Sequence, residues 1–373
     1  MASHAISSWE RIGLKETDRG EYLNAVQRRY KRYEVEEFEH QGYCSFTLLL
    51  SHQSEGCADD NGVRSSNHVR ASNVAEQLLV QLRPAQHALD LQVAREASRI
   101  YSYLAPKVRA LDFGLSGGLR AYEMNRIEGI PMSCLQPRED STTVDTQKKQ
   151  ETLIASFASV VARGWPGVVG KKRRDSVLRA DSLPNEEQTM LAQCTGKVGS
   201  CVIRKLGRLA QDLPDIWLRG RAQSTIDRLC MVDEHPVVLN HGDLIPSNIL
   251  VDKETWEITG LVDWAEAEFL PFGTCLYGLE HLLGFSQSAS QKSGRSTFTY
   301  YENAPKLREY FWTCLFRLVP EITKRQKDTW LMRDVGVLLW YGYAWDEGAI
   351  DRVVDEANDC EELMKLRAFL SIQ

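Results

Sequence analysis

Apolar and polar residues alternate with the period of a β-strand over much of the first third of the chain. Residues 33–50, "YEVEEFEHQGYCSFTLLL", predict two short strands around a turn at Gln41-Gly42. The stretch 76–84, "EQLLVQLRP", predicts a further strand that ends at its final proline, because proline cannot continue a central strand. The polar residues between them, 51–72, predict a loop.

The pattern then changes to the period of a helix and back again. Apolar residues recur every three or four positions from 90 to 104, which predicts an amphipathic helix with Asp90 as its N-cap. "LRAYEMNRI" (119–127) predicts another strand, and "EGIPMS" (128–133) a hinge. The region up to about residue 128 is therefore expected to be strand-rich with one helix.

Helical periodicity dominates after the hinge. "QETLIASFASVVARGW" (150–165) predicts an amphipathic helix, and further helices are expected over 198–212 and 218–230. Near the end, "RDVGVLLWYGYAWDEGAIDRVVDEA" (333–357) predicts a buried helix, a turn at Glu347-Gly348 and a second helix. In the helix predicted over 150–165, the expected buried positions are Leu153, Phe157, Val160 and Val161.

These patterns predict an α+β protein of two lobes with a cleft between them. Residues 1–128 would form a small β-rich N-lobe, and residues 129–373 a larger, mainly helical C-lobe. A chain of 373 residues is long enough for one large or two medium domains.

Composition narrows the classes of protein. The chain is 43% hydrophobic and 26% charged, and its net charge of −6 gives no basic field, so nucleic acid is not an expected partner. Its nine cysteines are scattered without a CxxC pair, which is typical of reduced thiols and not of disulfides or a zinc site. No signal peptide or apolar run of spanning length is visible, which predicts a cytoplasmic protein with no membrane segment. The basic cluster "KKRR" (171–174) is expected to be a solvated loop, with phosphate steering or targeting as alternatives.

The stretch 237–252, "VVLNHGDLIPSNILVD", places polar side chains between apolar, strand-like flanks. The following "ILVDKETWEITGLVDW" (249–264) reads as a strand, a turn at 253–255 and a returning strand, which predicts a hairpin. Because paired strands lie only ~4.8 Å apart, this hairpin would bring Asp263 back beside Asn248.

That juxtaposition fits phosphoryl transfer. Carboxylate and amide oxygens are the ligands that magnesium prefers, so Asn248 and Asp263 are the expected metal ligands. Asp243 precedes Asn248 with four residues between them, the spacing that protein kinases use for a catalytic base and a metal ligand. We expect Asp243 to accept the proton of a substrate hydroxyl, and His241 to brace the loop through a backbone hydrogen bond. An ordinary turn and a two-metal hydrolase are alternatives, although the other histidines show no ligand spacing.

"HGDLIPSNILVD…GLVDWAEAEFLPFG" resembles the aminoglycoside phosphotransferase and choline kinase superfamily, which has a protein-kinase-like fold. "LPFGTCLYGLEHLLG" (270–284) and residues 335–354 are similar to fungal members of that superfamily. The resemblance implies ATP and Mg²⁺ as cofactors, Asp243 as catalytic base, and Asn248 and Asp263 as magnesium ligands.

The expected nucleotide site is assigned less directly. A kinase-like N-lobe should supply a cation for the nucleotide phosphates. The strand "EQLLVQLRP" offers Arg83 in place of a lysine, with Glu96 as its acidic partner. Either side chain could equally be a surface group. Gly42 in "FEHQGYCSF" (38–46) is placed in the phosphate-covering loop by its order in the chain. The resemblance also implies an adenine contact at Met124.

The acceptor residues form a separate prediction. Glu266 and Glu268 follow the metal-binding Asp263 and are candidate substrate contacts. Trp345 and Asp346 could bind an amine or another cation. The alternative for the aromatic residues of this C-terminal region is that they belong to the core.

The sequence thus predicts an ATP- and Mg²⁺-dependent kinase that phosphorylates a hydroxyl of a small molecule. The alternative is a weakly active or inactive kinase-like protein that binds a nucleotide or ligand, because the N-lobe lacks the usual lysine and has a poor glycine loop. A kinase acting on proteins is disfavoured because no DFG or APE signature is present. The acceptor's identity and any protein partner are not predicted.

Overall fold

A computed structural model describes residues 8–52, 77–113, 118–141, 143–168, 189–287 and 296–372. The chain divides into two compact units, the first comprising Met1–Arg95 and Pro106–Ile127 and the second Glu96–Ala105 and Glu128–Gln373. Residues 96–105, which the sequence placed in the N-lobe, thus belong to the second unit. The predicted loop at 51–72 lies almost wholly outside the described residues, and "KKRR" lies entirely outside them.

The first unit is a five-stranded antiparallel sheet in the order β1-β2-β3-β5-β4. Its elements in chain order are α1 (Ser8–Arg11), α2 (Glu16–Arg29), β1 (Tyr33–Glu37), β2 (Phe46–His52), β3 (Leu78–Arg83), the start of α3 (Leu91–Tyr101), β4 (Val108–Leu111) and β5 (Arg120–Asn125). The four predicted strands are confirmed, and β4 is an addition. Asp90 caps α3 as predicted, accepting hydrogen bonds from the amides of Gln92 (2.8 Å) and Val93 (3.2 Å).

The prediction of a single helix before residue 128 is wrong, because α1 and α2 precede the sheet. Tyr22 and Val26 of α2 and Trp9 of α1 are buried in one cluster with sheet residues such as Leu48 and Val80. Only a few apolar residues mark α2, so its periodicity is weak. Most helical stability in proteins comes from tertiary packing, and here that packing is burial against the sheet.

The second unit is mainly helical. Its helices after α3 are α4 (Met132–Leu135), α5 (Val144–Arg163), α6 (Gly196–Gly199), α7 (Val202–Asp212), α8 (Ile216–Leu229), α9 (Tyr277–Leu282), α10 (Ala304–Leu318), α11 (Gln326–Tyr341) and α12 (Cys360–Leu370). Its antiparallel sheets are built from β6 (Ile130–Pro131), β7 (Val237–Asn240), β8 (Ile249–Val251), β9 (Ile258–Leu261), β10 (Glu268–Pro271), β11 (Gly284–Gln287) and β12 (Thr297–Tyr300). The strands are arranged as β6-β8-β9, β7-β10 and β11-β12.

The predicted amphipathic helix is α5, and all four of its expected core residues are buried. The two helices expected over 198–212 and 218–230 are confirmed as α7 and α8, each within a few residues. Every described cysteine is a free thiol. In the part of the chain that the structure describes, no helix combines the length and the apolar character needed to cross a membrane.

The C-terminal prediction is correct for its first helix and wrong for its second. The buried helix is α11, but residues 349–358 are not helical, and Tyr343 forms a β-bridge with Val353. Arg352 binds Asp346 at 2.9 Å and Asp359 at 2.6 Å, and the next helix begins only at Cys360. These contacts within the folded unit override a helical pattern of moderate strength.

A buried ion network fixes α9 to its neighbours. Glu280 of α9 accepts charge-assisted contacts from Arg333 of α11 (3.0 Å) and Arg308 of α10 (2.7 Å), and Arg333 also binds Asp334 at 2.6 Å. Burial alone would raise the pKa of Glu280, but the two guanidinium groups hold that pKa below its usual value. The network therefore sets the position of α9, which carries a residue that contacts the candidate site.

Candidate active site

The predicted hairpin is confirmed, and its register brings the expected residues together. Ile249 of β8 pairs with Leu261 of β9, and the amide of Val262 donates to the carbonyl of Asn248 at 3.0 Å. Asp263 follows directly, so it lies at the end of the hairpin that also carries Asn248.

His241 braces the loop, as predicted. Its Nε2 donates to the carbonyl oxygen of Val262 at 2.9 Å, and its Nδ1 accepts from the amide of Asp243 at 3.3 Å. Burial lowers the pKa of His241 to about 4 even though the negative charge of Asp263 opposes this. The ring is therefore neutral near pH 7, the state in which one nitrogen donates and the other accepts.

Gly242 lies where no side chain fits. Its φ is +76°, and a Cβ atom there would lie 1.8 Å from the carbonyl oxygen of Glu266. Glycine enters the left-handed region without steric penalty, so the loop can pass directly against the backbone that follows β9. The glycine in "HGD" is thus required by both conformation and space.

Asp243 and Asn248 are joined by side-chain contacts. The Nδ2 atom of Asn248 donates to Oδ2 of Asp243 at 2.7 Å and to the Asp243 carbonyl oxygen at 2.9 Å. Burial and, next, the negative charge of Asp263 raise the pKa of Asp243 to about 7, against the opposing effect of the hydrogen bond from Asn248. The carboxyl group is therefore in a range where it can accept and release a proton near neutral pH.

The residues at the hairpin end fit a magnesium ion. The contacts of Asn248 through Nδ2 leave its Oδ1 directed away from Asp243, and Asp263 adds a carboxylate whose charge acts on Asp243. Asp263 adopts a left-handed conformation (φ +60°, ψ +66°), and strained backbone of this kind clusters at functional sites. Among the described residues no group of three or more His, Cys, Asp and Glu forms a metal cage. One carboxylate and one amide suit magnesium, which keeps waters and binds substrate phosphates.

Tyr277 is a contact that sequence reasoning missed. Its hydroxyl oxygen accepts from the backbone amide of Leu244 at 3.1 Å, and its ring stacks on Trp340 with centroids 5.5 Å apart. It is 33 residues from Leu244 along the chain, so no local spacing could reveal the contact.

Two predicted acceptor residues follow the hairpin. Glu266 is close enough for its charge to raise the pKa of Asp243, and it lies 3.8 Å from Lys197. Glu268 is buried, and its carboxylate accepts from the amides of Val198 (3.0 Å) and Gly199 (2.8 Å). Glu268 therefore holds α6 in place, and its contact with substrate stays a prediction.

The other two acceptor residues lie after α11. Trp345 is 37% exposed, and Asp346 is paired with Arg352. Tyr341 and Tyr343, by contrast, are buried in the core, which is the alternative that the sequence left open. Substrate contacts at Trp345 and Asp346 stay predictions.

The nucleotide candidates of the first unit are on its sheet. Arg83 on β3 is 4% exposed, with Nε donating to Oε1 of Gln81 (3.2 Å) and Nη1 to the carbonyl of His87 (3.4 Å). Met124 is buried on β5, and Gly42 lies between β1 and β2. In the second unit, Glu96 binds Arg99 at 2.5 Å. The nucleotide-binding roles of all four residues stay predictions.

A sheet-based first unit, a helical second unit and this loop with its hairpin define a kinase-like α+β fold. Similar solved structures include an ethanolamine kinase from Plasmodium vivax, with a TM-score of 0.55, 11% identity, and coverage of 99% of this chain and 95% of that one. A GDP complex of an aminoglycoside 2'-phosphotransferase-IIIa mutant has a TM-score of 0.50 and 14% identity, and the match covers 94% of this chain and 97% of that one. A thermostable mutant of aminoglycoside phosphotransferase APH(4)-Ia, crystallised with ADP and hygromycin B, has a TM-score of 0.49 and 14% identity, and the match covers 94% of this chain and 97% of that one.

The profile of the phosphotransferase enzyme family matches residues 60–273, more than half of the chain. The protein therefore belongs to this phosphotransferase family, which confirms the resemblance seen in the sequence. No curated protein matches the chain.

Proposed function

We propose that the protein transfers the γ-phosphoryl group of ATP to a hydroxyl group of a small molecule, with Asp243 as the catalytic base. The observation that carries the proposal is the convergence of Asp243, Asn248 and Asp263 at one loop and hairpin end. This is the constellation that phosphoryl transfer uses to orient a hydroxyl and hold a metal.

The chain's own contribution is mainly to hold groups in position. Asn248 fixes Oδ2 of Asp243, and no described residue donates to Oδ1, which can therefore accept the hydrogen bond of a substrate hydroxyl. As the hydroxyl oxygen bonds to phosphorus, its proton passes to the Asp243 carboxylate and the ADP oxygen leaves with the bond electrons. His241 and Gly242 keep the loop in the conformation that presents the carboxylate.

Asn248 and Asp263 would hold Mg²⁺, which when bound neutralises charge on the nucleotide phosphates. The structural neighbour crystallised with GDP supports a nucleotide as phosphoryl donor or product. The proposed nucleotide contacts are Arg83, Gly42, Met124 and Glu96. The proposed acceptor contacts are Glu266, Glu268, Trp345 and Asp346.

The test of the base is Asp243→Asn, assayed by ADP release with ATP, Mg²⁺ and a panel of small hydroxylated metabolites. We expect turnover to be lost while the melting temperature and nucleotide affinity stay close to those of the wild type. Asp212→Asn is the matched control, because Asp212 is half-exposed in a surface pair with Arg208. Retained turnover in Asp243→Asn would contradict the assignment.

The test of the metal ligands is Asp263→Asn, followed by Mn²⁺ titration with electron paramagnetic resonance in the presence of ATP. Asparagine tolerates the left-handed backbone, so the fold should persist while the metal dissociation constant rises at least tenfold. Unchanged Mn²⁺ affinity would show that Asp263 is not a ligand.

The alternative, a kinase-like binding protein without turnover, is favoured by one observation: β3 carries no lysine. Its expected result is thermal stabilisation by ATP and Mg²⁺ without any ADP release. ADP release that depends on an acceptor and on Asp243 would exclude it.

A further inference from the structure

The peptide unit between Asp243 and Leu244 is held at both of its polar atoms. The carbonyl oxygen of Asp243 accepts from Nδ2 of Asn248 at 2.9 Å and from the amide of Ile245 at 3.1 Å. The amide of Leu244 donates to the hydroxyl oxygen of Tyr277 at 3.1 Å. Rotation of this peptide plane would turn the backbone that carries the Asp243 side chain, so both contacts restrain that carboxylate.

Tyr277 is the part of this restraint that comes from outside the loop. Its ring is buried and lies parallel to Trp340, with an interplanar angle of 7°. It also meets the edge of Tyr341 at 90°. These ring contacts fix the direction of the hydroxyl, because a tyrosine ring has only two side-chain torsions to restrain.

The next residue shows how closely α9 approaches the loop. A Cβ atom at Gly278 would lie 2.7 Å from the carbonyl oxygen of Leu244, so only glycine permits this approach. Three residues beyond Tyr277, Glu280 anchors the same helix to Arg308 and Arg333. The position of Tyr277 is therefore set by α10 and α11 and not by the loop that it contacts.

We propose that Tyr277 is a positioning residue for the phosphotransfer reaction, holding the Asp243–Leu244 peptide so that the Asp243 carboxylate faces the acceptor hydroxyl. This inference rests on the proposed function, since it assumes that Asp243 is the base. Burial, followed by the nearby charge of Asp243, raises the pKa of Tyr277 well above its ordinary value. The hydroxyl group is thus neutral throughout the working pH range, and its role is to accept a hydrogen bond.

The test is Tyr277→Phe, which removes one oxygen and keeps the ring stack. We expect kcat to fall at least tenfold, while KM for ATP and for the acceptor changes less than twofold, because alignment of the base matters in the transition state and not for binding. Hydrogen–deuterium exchange of the Leu244 amide should accelerate at least tenfold, since its acceptor is gone. An unchanged kcat, or unchanged exchange at Leu244, would overturn the inference.

Tyr301→Phe is the matched control. Tyr301 is also buried, and its hydroxyl donates to the carbonyl of Pro137 at 2.9 Å, away from the loop. Both variants lose one buried hydrogen bond, so both melting temperatures should fall, but only Tyr277→Phe should lose kcat. Equal losses of kcat would assign Tyr277 a general structural role and contradict the proposal.

The inference and the proposed function fail in different ways. If wild-type protein releases no ADP with any acceptor, the proposed function fails and the positioning role falls with it. If the wild type turns over and Tyr277→Phe retains its kcat, only the positioning role fails. Should Tyr277→Phe not fold, exchange at Leu244 in the wild type decides: protection equal to that of buried strand amides is expected, and rapid exchange would refute the contact.

Discussion

Replacing Gly242 by alanine is the most direct test of the loop geometry. The new Cβ would lie 1.8 Å from the carbonyl oxygen of Glu266, whereas Cβ atoms essentially never come closer than 3.0 Å. The two backbone segments must therefore separate by at least 1.2 Å (3.0 − 1.8). Because Gly242 directly precedes Asp243, that movement displaces the proposed base.

Two energies add at this position. A non-glycine residue in the left-handed region costs about 1–2 kcal/mol, and forcing an extra carbon into a packed site costs about 1–3 kcal/mol. The free energy of unfolding should therefore fall by about 2–5 kcal/mol, which lowers the melting temperature by about 4–20 °C for a unit of this size. A displacement of about 1 Å at reacting atoms can reduce kcat about a hundredfold.

The assay combines thermal unfolding with ADP-release kinetics on the folded fraction. Gly167→Ala is the control, because Gly167 also has a positive φ (+99°) but has no heavy atom within 4 Å of the new Cβ. Gly167→Ala should lose only the stability that a non-glycine residue costs in the left-handed region, and it should keep its kcat. The reasoning would be refuted if Gly242→Ala matched Gly167→Ala in both stability and kcat.

Two further predictions concern the helices beneath the site. Glu280→Gln leaves Arg308 without its countercharge and Arg333 with Asp334 alone. The free energy of unfolding measured in urea should therefore fall by about 3–5 kcal/mol, and a fall of less than about 1 kcal/mol would contradict the importance of this ion network. Burial lowers the pKa of His281 to about 3 from the ordinary 6.5. Below pH 6.5 the unfolded chain therefore binds a proton that the folded protein does not, so the free energy of unfolding falls by about 1.4 kcal/mol per pH unit as the pH drops towards 3. His281→Asn should flatten the stability profile between about pH 6 and 4 relative to the wild type, and parallel profiles would refute this sign.

The sequence predicted the features that depend on short separations along the chain. Strand alternation located β1, β2, β3 and β5, and the helical period located α5 with its buried face. The hairpin is the clearest case, because the 253–255 turn alone decides that Asp263 returns beside Asn248. The bracing role of His241 was likewise predictable, since its partner Val262 directly follows the returning strand β9.

Contacts between segments distant in sequence were not predictable in this way. No local pattern indicates that Tyr277 accepts from Leu244, or that Glu268 holds α6 through backbone amides. The acceptor candidates show the same limit. Glu268 and Asp346 were both predicted as substrate contacts, but the structure shows Glu268 bound to a backbone amide of α6 and Asp346 paired with Arg352.

By itself, the sequence determined the local elements and the order of chemical groups in the loop and hairpin, because periodicity and turn length act over a few residues. Only the tertiary structure decided that α2 is a stable helix, that residues 349–358 are not helical, and that Asp243 has a pKa of about 7. Each of these depends on burial and on charges brought together from distant parts of the chain. Burial and long-range charge are properties of the folded arrangement, and one-dimensional spacing does not contain them.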